Sequence, residues 1–351
     1  MKATLAVLLM GISILTYSQN IPMYVGTYTA ENSEGIYLYN FNTKTGKLST
    51  KTLAIEAVNP SFITFSKNKK QLYAVSESDN GSTLSAYNVT DNGTLTLINK
   101  VHSGGNGPCH VQLNKKGDKA VVSNYGGGTF AVYNIEKDGS LQEAFQVTDH
   151  NIEAIKSHAH SAQFLDTNLF VADLGRDFLA HYIENQGKYT LKENYKMETG
   201  AGPRHFEISK KGNYIYVINE LNSTVTVLKK TENSYENIQS ISTLSNDFKG
   251  ESFCADIHLS KNEKFLYGSN RGENSIVVFK RNKKNGTLQK IQNIPVNGDW
   301  PRNFTLAPNG KFLLVANQRS KNISIYNVNK KTGELSFSYS IEAPTPVCLL
   351  F

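Results

Sequence analysis

Gly200-Ala201-Gly202-Pro203-Arg204-His205-Phe206-Glu207-Ile208-Ser209-Lys210 runs through Lys211-Gly212-Asn213 into Tyr214-Ile215-Tyr216-Val217-Ile218-Asn219-Glu220. Alternating and β-branched apolar residues predict two strands, and the Lys-Gly-Asn cluster predicts the turn between them. Thr224-Val225-Thr226-Val227-Leu228 supplies a third strand. The first strand of this unit recurs along the chain. Copies begin at Asn59-Pro60-Ser61, Gly107-Pro108-Cys109, His158-Ala159-His160, Cys254-Ala255-Asp256, Trp300-Pro301-Arg302 and Pro346-Val347-Cys348.

The apolar residue closing each copy serves as an anchor: Phe65, Leu113, Phe164, Ile208, Leu259, Leu306 and Phe351. Neighbouring anchors lie 48, 51, 44, 51, 47 and 45 residues apart. Several strands per period of about 40–50 residues is the signature of a β-propeller. Seven anchors predict an all-β, seven-bladed propeller of four-stranded blades. A parallel β-helix would have a shorter period and no hairpin turns. The last copy has a first strand and no more chain. Its missing strands are expected near the start, at Met23–Tyr28 and Gly35–Phe41. Pairing the two terminal segments in one blade would close the ring and remove an open sheet edge.

The first residues differ in kind. Met1-Lys2 is followed by the mostly apolar Ala3–Leu15 and then by Thr16-Tyr17-Ser18. This predicts a secretory signal peptide over 1–18, cleaved after about Ser18, and a single domain over 19–351. The apolar run is short for a transmembrane span. Export to the periplasm or beyond is expected, with no membrane attachment after cleavage. The three cysteines each fall in a first strand, where Cys acts as a small buried hydrophobe. The chain carries 37 Lys and Arg against 30 Asp and Glu. Many lysines sit in turns such as Lys67-Asn68-Lys69-Lys70, Lys115-Lys116 and Lys283-Lys284, so they read as a solvated rim and not as a nucleic-acid surface. An anionic small molecule is the expected partner. The repeat fixes no oligomeric state.

Equivalent positions in successive blades face a common axis. Four residues before the anchor stand Ser61, Cys109, His160, Arg204, Ala255, Arg302 and Val347. Twelve after it stand Glu77, Tyr125, Glu220, Arg271, Gln318 and, across the closure, Tyr28; the third full blade offers Asp173 or Leu174. His160, Arg204, Glu220, Arg271 and Arg302 should therefore surround one channel mouth. Three Arg against two Glu leave positive charge over, which favours a carboxylate or phosphate ligand. His158 and His160, two apart in a strand, should point to one face as a conceivable metal pair. A third ligand is not evident, because His110, His205 and His258 fall off the converging register. No metal and no cofactor is expected. Gly126-Gly127-Gly128 opens no helix and reads as a turn, and no Gly-x-Ser-x-Gly is present.

At His158-Ala159-His160-Ser161, Gly202-Pro203-Arg204-His205, Asn219-Glu220-Leu221, Ser269-Asn270-Arg271-Gly272 and Trp300-Pro301-Arg302-Asn303 the chain resembles the bacterial seven-bladed propeller lactonases. These are the 6-phosphogluconolactonase type, related to fungal carboxy-cis,cis-muconate lactonizing enzyme. The resemblance implies hydrolysis of a sugar lactone, with His160, Arg204, Glu220 and Arg271 catalytic. Arg302, His158, Glu77 and Gln318 are expected to hold substrate. His160 would be the acid-base group, with Glu220 its partner or the alternative base, and Arg204 or Arg271 would stabilise the oxyanion. Lactone formation or isomerisation of a dicarboxylate would use the same residues, and a non-catalytic ligand-binding propeller is the reading outside enzymes. The familiar bacterial members act in the cytoplasm on a phosphorylated lactone, whereas this chain begins like an exported one.

Overall fold

A computed structural model describes residues 19–29, 32–78 and 81–351. Residues 1–18, where the sequence predicts a signal peptide, lie outside the described residues. Seven four-stranded antiparallel sheets form the ring. In six of them the strands follow chain order outward from the axis. The Gly200 stretch, for example, builds Pro203–Ile208, Tyr214–Asn219, Thr224–Lys230 and Tyr235–Ser242. The seventh combines Pro346–Leu350, innermost, with Asn20–Thr27, Gly35–Asn42 and Thr52–Glu56. Tyr24 pairs with Leu350 and Val25 with Leu349, so the expected closure from both ends is what the ring contains.

The hydrophobic core lies between the blades. Seven clusters of buried side chains fill the seven blade–blade interfaces. At the closing interface Met23, Val25, Tyr37 and Tyr39 pack on Leu314, Ala316, Ile323 and Ile325 of the preceding blade. This follows from alternation in the sheet, because both faces of each blade meet a neighbour. A second device repeats. The hydroxyls of Tyr24, Tyr73, Tyr216 and Tyr267 donate to the carbonyls of Gly93, Gly139, Gly286 and Gly333 in the outer turn of the next blade. A buried tyrosine gains a partner for its polar end this way. Gly286 sits at φ +78°, and a Cβ there would fall 2.2 Å from the Tyr214 ring. Cys109, Cys254 and Cys348 are free and buried in innermost strands, as their sequence position suggests.

The feature that sets the site is a bulge. In six of the seven innermost strands the ladder slips at the residue four before the anchor, and the short strand Ile63–Phe65 pairs in regular register. The slips fall between Pro108 and His110, Ala159 and Ser161, Pro203 and His205, and Pro301 and Asn303. In the blade of Phe253–Leu259 the slip takes in both Ala255 and Asp256. One extra residue is thereby left unpaired and the strand bends, which re-aims side chains at the slip.

Gly286→Ala is expected to cost about 1–3 kcal/mol, since the added methyl meets a packed ring and a left-handed backbone. Thermal denaturation checks this; an unchanged midpoint would mean the outer turn adjusts freely.

Candidate active site

The residues twelve after each anchor converge because each ends its second strand beside the bulge. The backbone N–H groups of Glu77, Tyr125, Glu220 and Gln318 donate to the carbonyls of Asn59, Gly107, Gly202 and Trp300. Leu174 makes the same bond to His158, so Leu174 is the third-blade equivalent. Asp173 is instead a buried brace, bonded to His150 Nδ1 at 2.9 Å and to the Ser157 hydroxyl at 2.5 Å.

Glu220 is the centre of the charged cluster. Its Oε2 accepts from Arg204 Nη1, and from Arg271 Nη2 at 2.9 Å. The two guanidiniums are nearly buried, at 4% and 5% side-chain exposure, whereas Glu220 keeps 15% open to the mouth. Backbone carbonyls complete both arginines. Arg204 Nε donates to Ala255 O at 2.8 Å, and Arg271 donates from Nε to Phe253 O at 3.2 Å and from Nη2 to Cys254 O at 3.0 Å. Burial alone would raise the Glu220 pKa, but Arg204 and Arg271 outweigh it and hold the carboxyl below its ordinary value. Arg271 is pushed down to about 9, first by burial and then by repulsion from Arg204. It stays cationic at neutral pH, and the repulsion would be relieved by an anion.

A second charged group completes the mouth. Arg302 Nη2 lies 3.7 Å from Glu77 Oε2, which also accepts from the Tyr28 hydroxyl at 2.8 Å. The Arg302 guanidinium stands 5.2 Å over the Tyr28 ring. His160 is buried beside Cys109, its Nδ1 3.8 Å from Sγ. Burial, then Arg204, His205, Arg302 and Arg271, hold its pKa well below 6.5, so the ring is neutral at pH 7. His158 stacks on Tyr125 at 4.4 Å and its Nδ1 meets the Tyr125 carbonyl at 2.9 Å; His160 meets the same ring edge-on. The slip at His160 interrupts the simple alternation of the strand, and both rings lie against Tyr125. Among the described residues no group of three or more His, Cys, Asp and Glu is set to hold a metal.

Two expectations are corrected. Glu220 is not the hydrogen-bond partner of His160, because its carboxylate goes to the two arginines. His110 and His205 are not off the axis, and His258 joins them only through Asp256 Oδ2 at 3.1 Å. Past the slip, the next residue of each strand also faces the channel, one layer deeper. The rings of His110, His160 and His205 touch there, with centroids 5.6 and 5.2 Å apart. The signal was present in the repeat: three before each anchor stand Phe62, His110, Ser161, His205, Asp256, Asn303 and Cys348, a mostly polar set.

Trp300 was also missed. Its φ is +66°, a left-handed conformation that a bulky side chain adopts only under constraint, at roughly 1–3 kcal/mol. The strain places the indole 5.1 Å from the Arg271 guanidinium and 3.3 Å from that of Arg319. Gln318 follows the strand beside Trp300, and its side-chain oxygen is buried without a hydrogen-bond partner.

A seven-bladed ring carrying buried Arg, Glu and His at one mouth defines a propeller hydrolase of the lactonase class. The family model described as Lactonase, 7-bladed beta-propeller matches residues 22–351. The chain belongs to the seven-bladed β-propeller lactonase family. It is 34% identical over 295 residues to the 6-phosphogluconolactonase of Bacillus subtilis, covering 81% of this chain and 84% of that one. Over 306 residues it is 37% identical to the 6-phosphogluconolactonase of Formosa agariphila, covering 82% and 86%. The structure of a periplasmic gluconolactonase from Pseudomonas aeruginosa superposes with a TM-score of 0.88 at 28% identity, covering 93% of this chain and 98% of that one.

Glu220→Gln is expected to destabilise the fold by about 3–5 kcal/mol, because it leaves two buried guanidiniums without their counter-charge. Sulfate should recover part of that loss. Thermal melts with and without sulfate read this out, and equal shifts in variant and wild type would remove the anion-relief argument.

Proposed function

We propose that the chain hydrolyses a sugar lactone outside the cytoplasm, with His160, Arg204, Glu220 and Arg271 as catalytic residues. The observation that carries this reading is the convergence of three arginines, two glutamates and a neutral histidine at one channel mouth. Three cations against two carboxylates suit a substrate that becomes an anion as its ring opens. Water must reach the acyl carbon, the tetrahedral oxyanion must be stabilised, and the leaving alkoxide must gain a proton. His160, uncharged at pH 7, takes the proton of the attacking water and returns it to the alkoxide. Arg204 and Arg271, oriented by Glu220, stabilise the oxyanion in a site largely shielded from water. Arg302, Glu77, Gln318 and His158 hold the hydroxyls and any anionic group of the substrate. This scheme calls on no metal or cofactor.

Residues 1–18 act as the export signal in this reading and 19–351 form the mature domain. The periplasmic gluconolactonase of Pseudomonas aeruginosa supports that compartment. It also favours an unphosphorylated lactone over the phosphorylated one named for the Bacillus and Formosa relatives.

A pH-indicator assay of residues 19–351, corrected for spontaneous hydrolysis, compares gluconolactone with 6-phosphogluconolactone. Acceleration of the unphosphorylated lactone is expected. Acceleration of neither would replace the hydrolase with an anion-binding propeller. His160→Ala should reduce kcat by about 10²–10⁴-fold and Arg204→Ala by about 10²–10³-fold. A folded Arg204→Ala with wild-type turnover would remove that residue from the site.

The pH profile follows from His160. Its pKa is lowered in the fold, so the active neutral ring persists as pH falls through 6.5. Accordingly, kcat/KM should stay level from pH 7 to below 6.5 and decline only in more acid solution. A midpoint at or above 6.5 would assign the acid limb to another group.

A further inference from the structure

Below the charged cluster the channel holds a line of titratable groups that the hydrolytic scheme leaves unused. Glu207 Oε1 meets His258 Nδ1 at 2.9 Å, His258 Nε2 meets Asp256 Oδ2 at 3.1 Å, and Asp256 Oδ1 meets His205 Nδ1 at 2.8 Å. Asp256 also accepts from Asn303 Nδ2 at 2.6 Å and from the backbone N–H of Ile257 and Phe304 at 3.0 and 3.2 Å. Burial would raise the Asp256 pKa, but His258 and these hydrogen bonds outweigh it, and the carboxyl is held far below its ordinary value. An ionised carboxylate only accepts, so His205 carries its proton on Nδ1. Burial keeps His205 itself neutral.

His205 Nε2 is then a bare acceptor. It is fully buried and has no hydrogen-bond partner among the described residues. Such an atom costs free energy unless a donor reaches it. Three rings surround it: Phe62 at 5.9 Å, His110 at 5.6 Å and His160 at 5.2 Å between centroids. Phe62 has no donor. The His110 ring lies tilted against Phe62 at 4.4 Å, and its Nδ1 accepts from Ala162 N–H at 3.5 Å. His160 has only the weak contact to the Cys109 thiol. A turn of its ring about χ2, a soft torsion for His, carries a nitrogen toward His205 Nε2.

We propose that His205 is a positioning residue for His160: Asp256 fixes the His205 proton on Nδ1, and the bare Nε2 accepts the single ring proton of His160. The other His160 nitrogen is thereby presented to the mouth as a proton acceptor. This rests on the reading of His160 as the acid-base group. The arrangement extends the logic by which a carboxylate fixes the tautomer of a functional histidine, here through a second imidazole.

The test combines kinetics with ¹⁵N NMR of histidine-labelled protein. In the wild type, His160 should show one protonated and one bare ring nitrogen, as a single tautomer. A tautomeric mixture, or a doubly protonated ring at pH 7, overturns the proposal without any variant. In His205→Phe, which keeps a ring and loses both nitrogens, the His160 tautomer should become mixed. There kcat should fall about 10–100-fold, the scale at which loss of an orienting partner acts, with KM within about twofold. His205→Gln, which restores an acceptor, should recover part of kcat. An unchanged His160 signal and kcat in either variant would make His205 structural only. A wild type inactive on every lactone would refute the proposed function, while the NMR arm would still decide the tautomer.

Discussion

Six of the seven innermost strands carry one residue more than the strand they pair with, and the geometry of the mouth depends on that surplus. A regular ladder would send Arg204 and His205 to opposite faces of the sheet. The slip between Pro203 and His205 turns both toward the axis at different depths. Repeated around the ring, the same slip stacks two layers. The upper contains His160, Arg204 and Arg302, and the lower contains His110, His205, Asp256 and Asn303. The lower layer also ties blades together: Asn303 Oδ1 accepts from Leu349 N–H at 2.7 Å and Ser161 donates to the Arg204 carbonyl at 2.7 Å. The scaffold that positions the site is therefore itself built from channel-facing polar groups.

The charges in the two layers are balanced differently. In the lower layer Asp256 has every lone pair engaged, and Asp256 and Glu207 outweigh desolvation and raise the pKa of His258, whose side chain is 35% exposed. The folded pKa of His258 is raised, so its stabilising contribution is complete below 6.5 and fades as pH climbs through the higher folded value. Asp256 behaves oppositely: its contribution is complete above its ordinary value and is lost as pH falls through the depressed one. The upper layer is left incomplete. Glu220 serves two arginines with one oxygen, and Arg302 reaches Glu77 only at 3.7 Å. One layer behaves as a satisfied core network and the other leaves its cations sharing too few acceptors.

The ring, its closure and the first layer of the site were legible in the sequence because they depend on spacing. An anchor every 44 to 51 residues transfers directly to blades, and a fixed offset from the anchor finds residues on one axis. What could not be read was local geometry. No residue type announces a bulge, so strict alternation put His205 and His110 off the axis. The shortened third blade blurred Asp173 against Leu174 until the backbone bond to His158 decided it. Trp300 was passed over because a left-handed tryptophan before proline is set by its neighbours, not by its own propensity.

The closing blade has a consequence for how the molecule comes to exist. Its innermost strand, Pro346–Leu350, is the last segment of the ring along the chain, and its partner Asn20–Thr27 is the first. The pair Tyr24 and Leu350 is separated by almost the whole sequence, which makes this among the slowest contacts for a chain to find. While the polypeptide is still being made, six blades can assemble in order, but Asn20–Thr27 has no inner neighbour and leaves an adhesive strand edge uncovered. The propeller is thus a clasp that fastens only after the far end arrives, and the channel, with everything that lines it, does not exist until then.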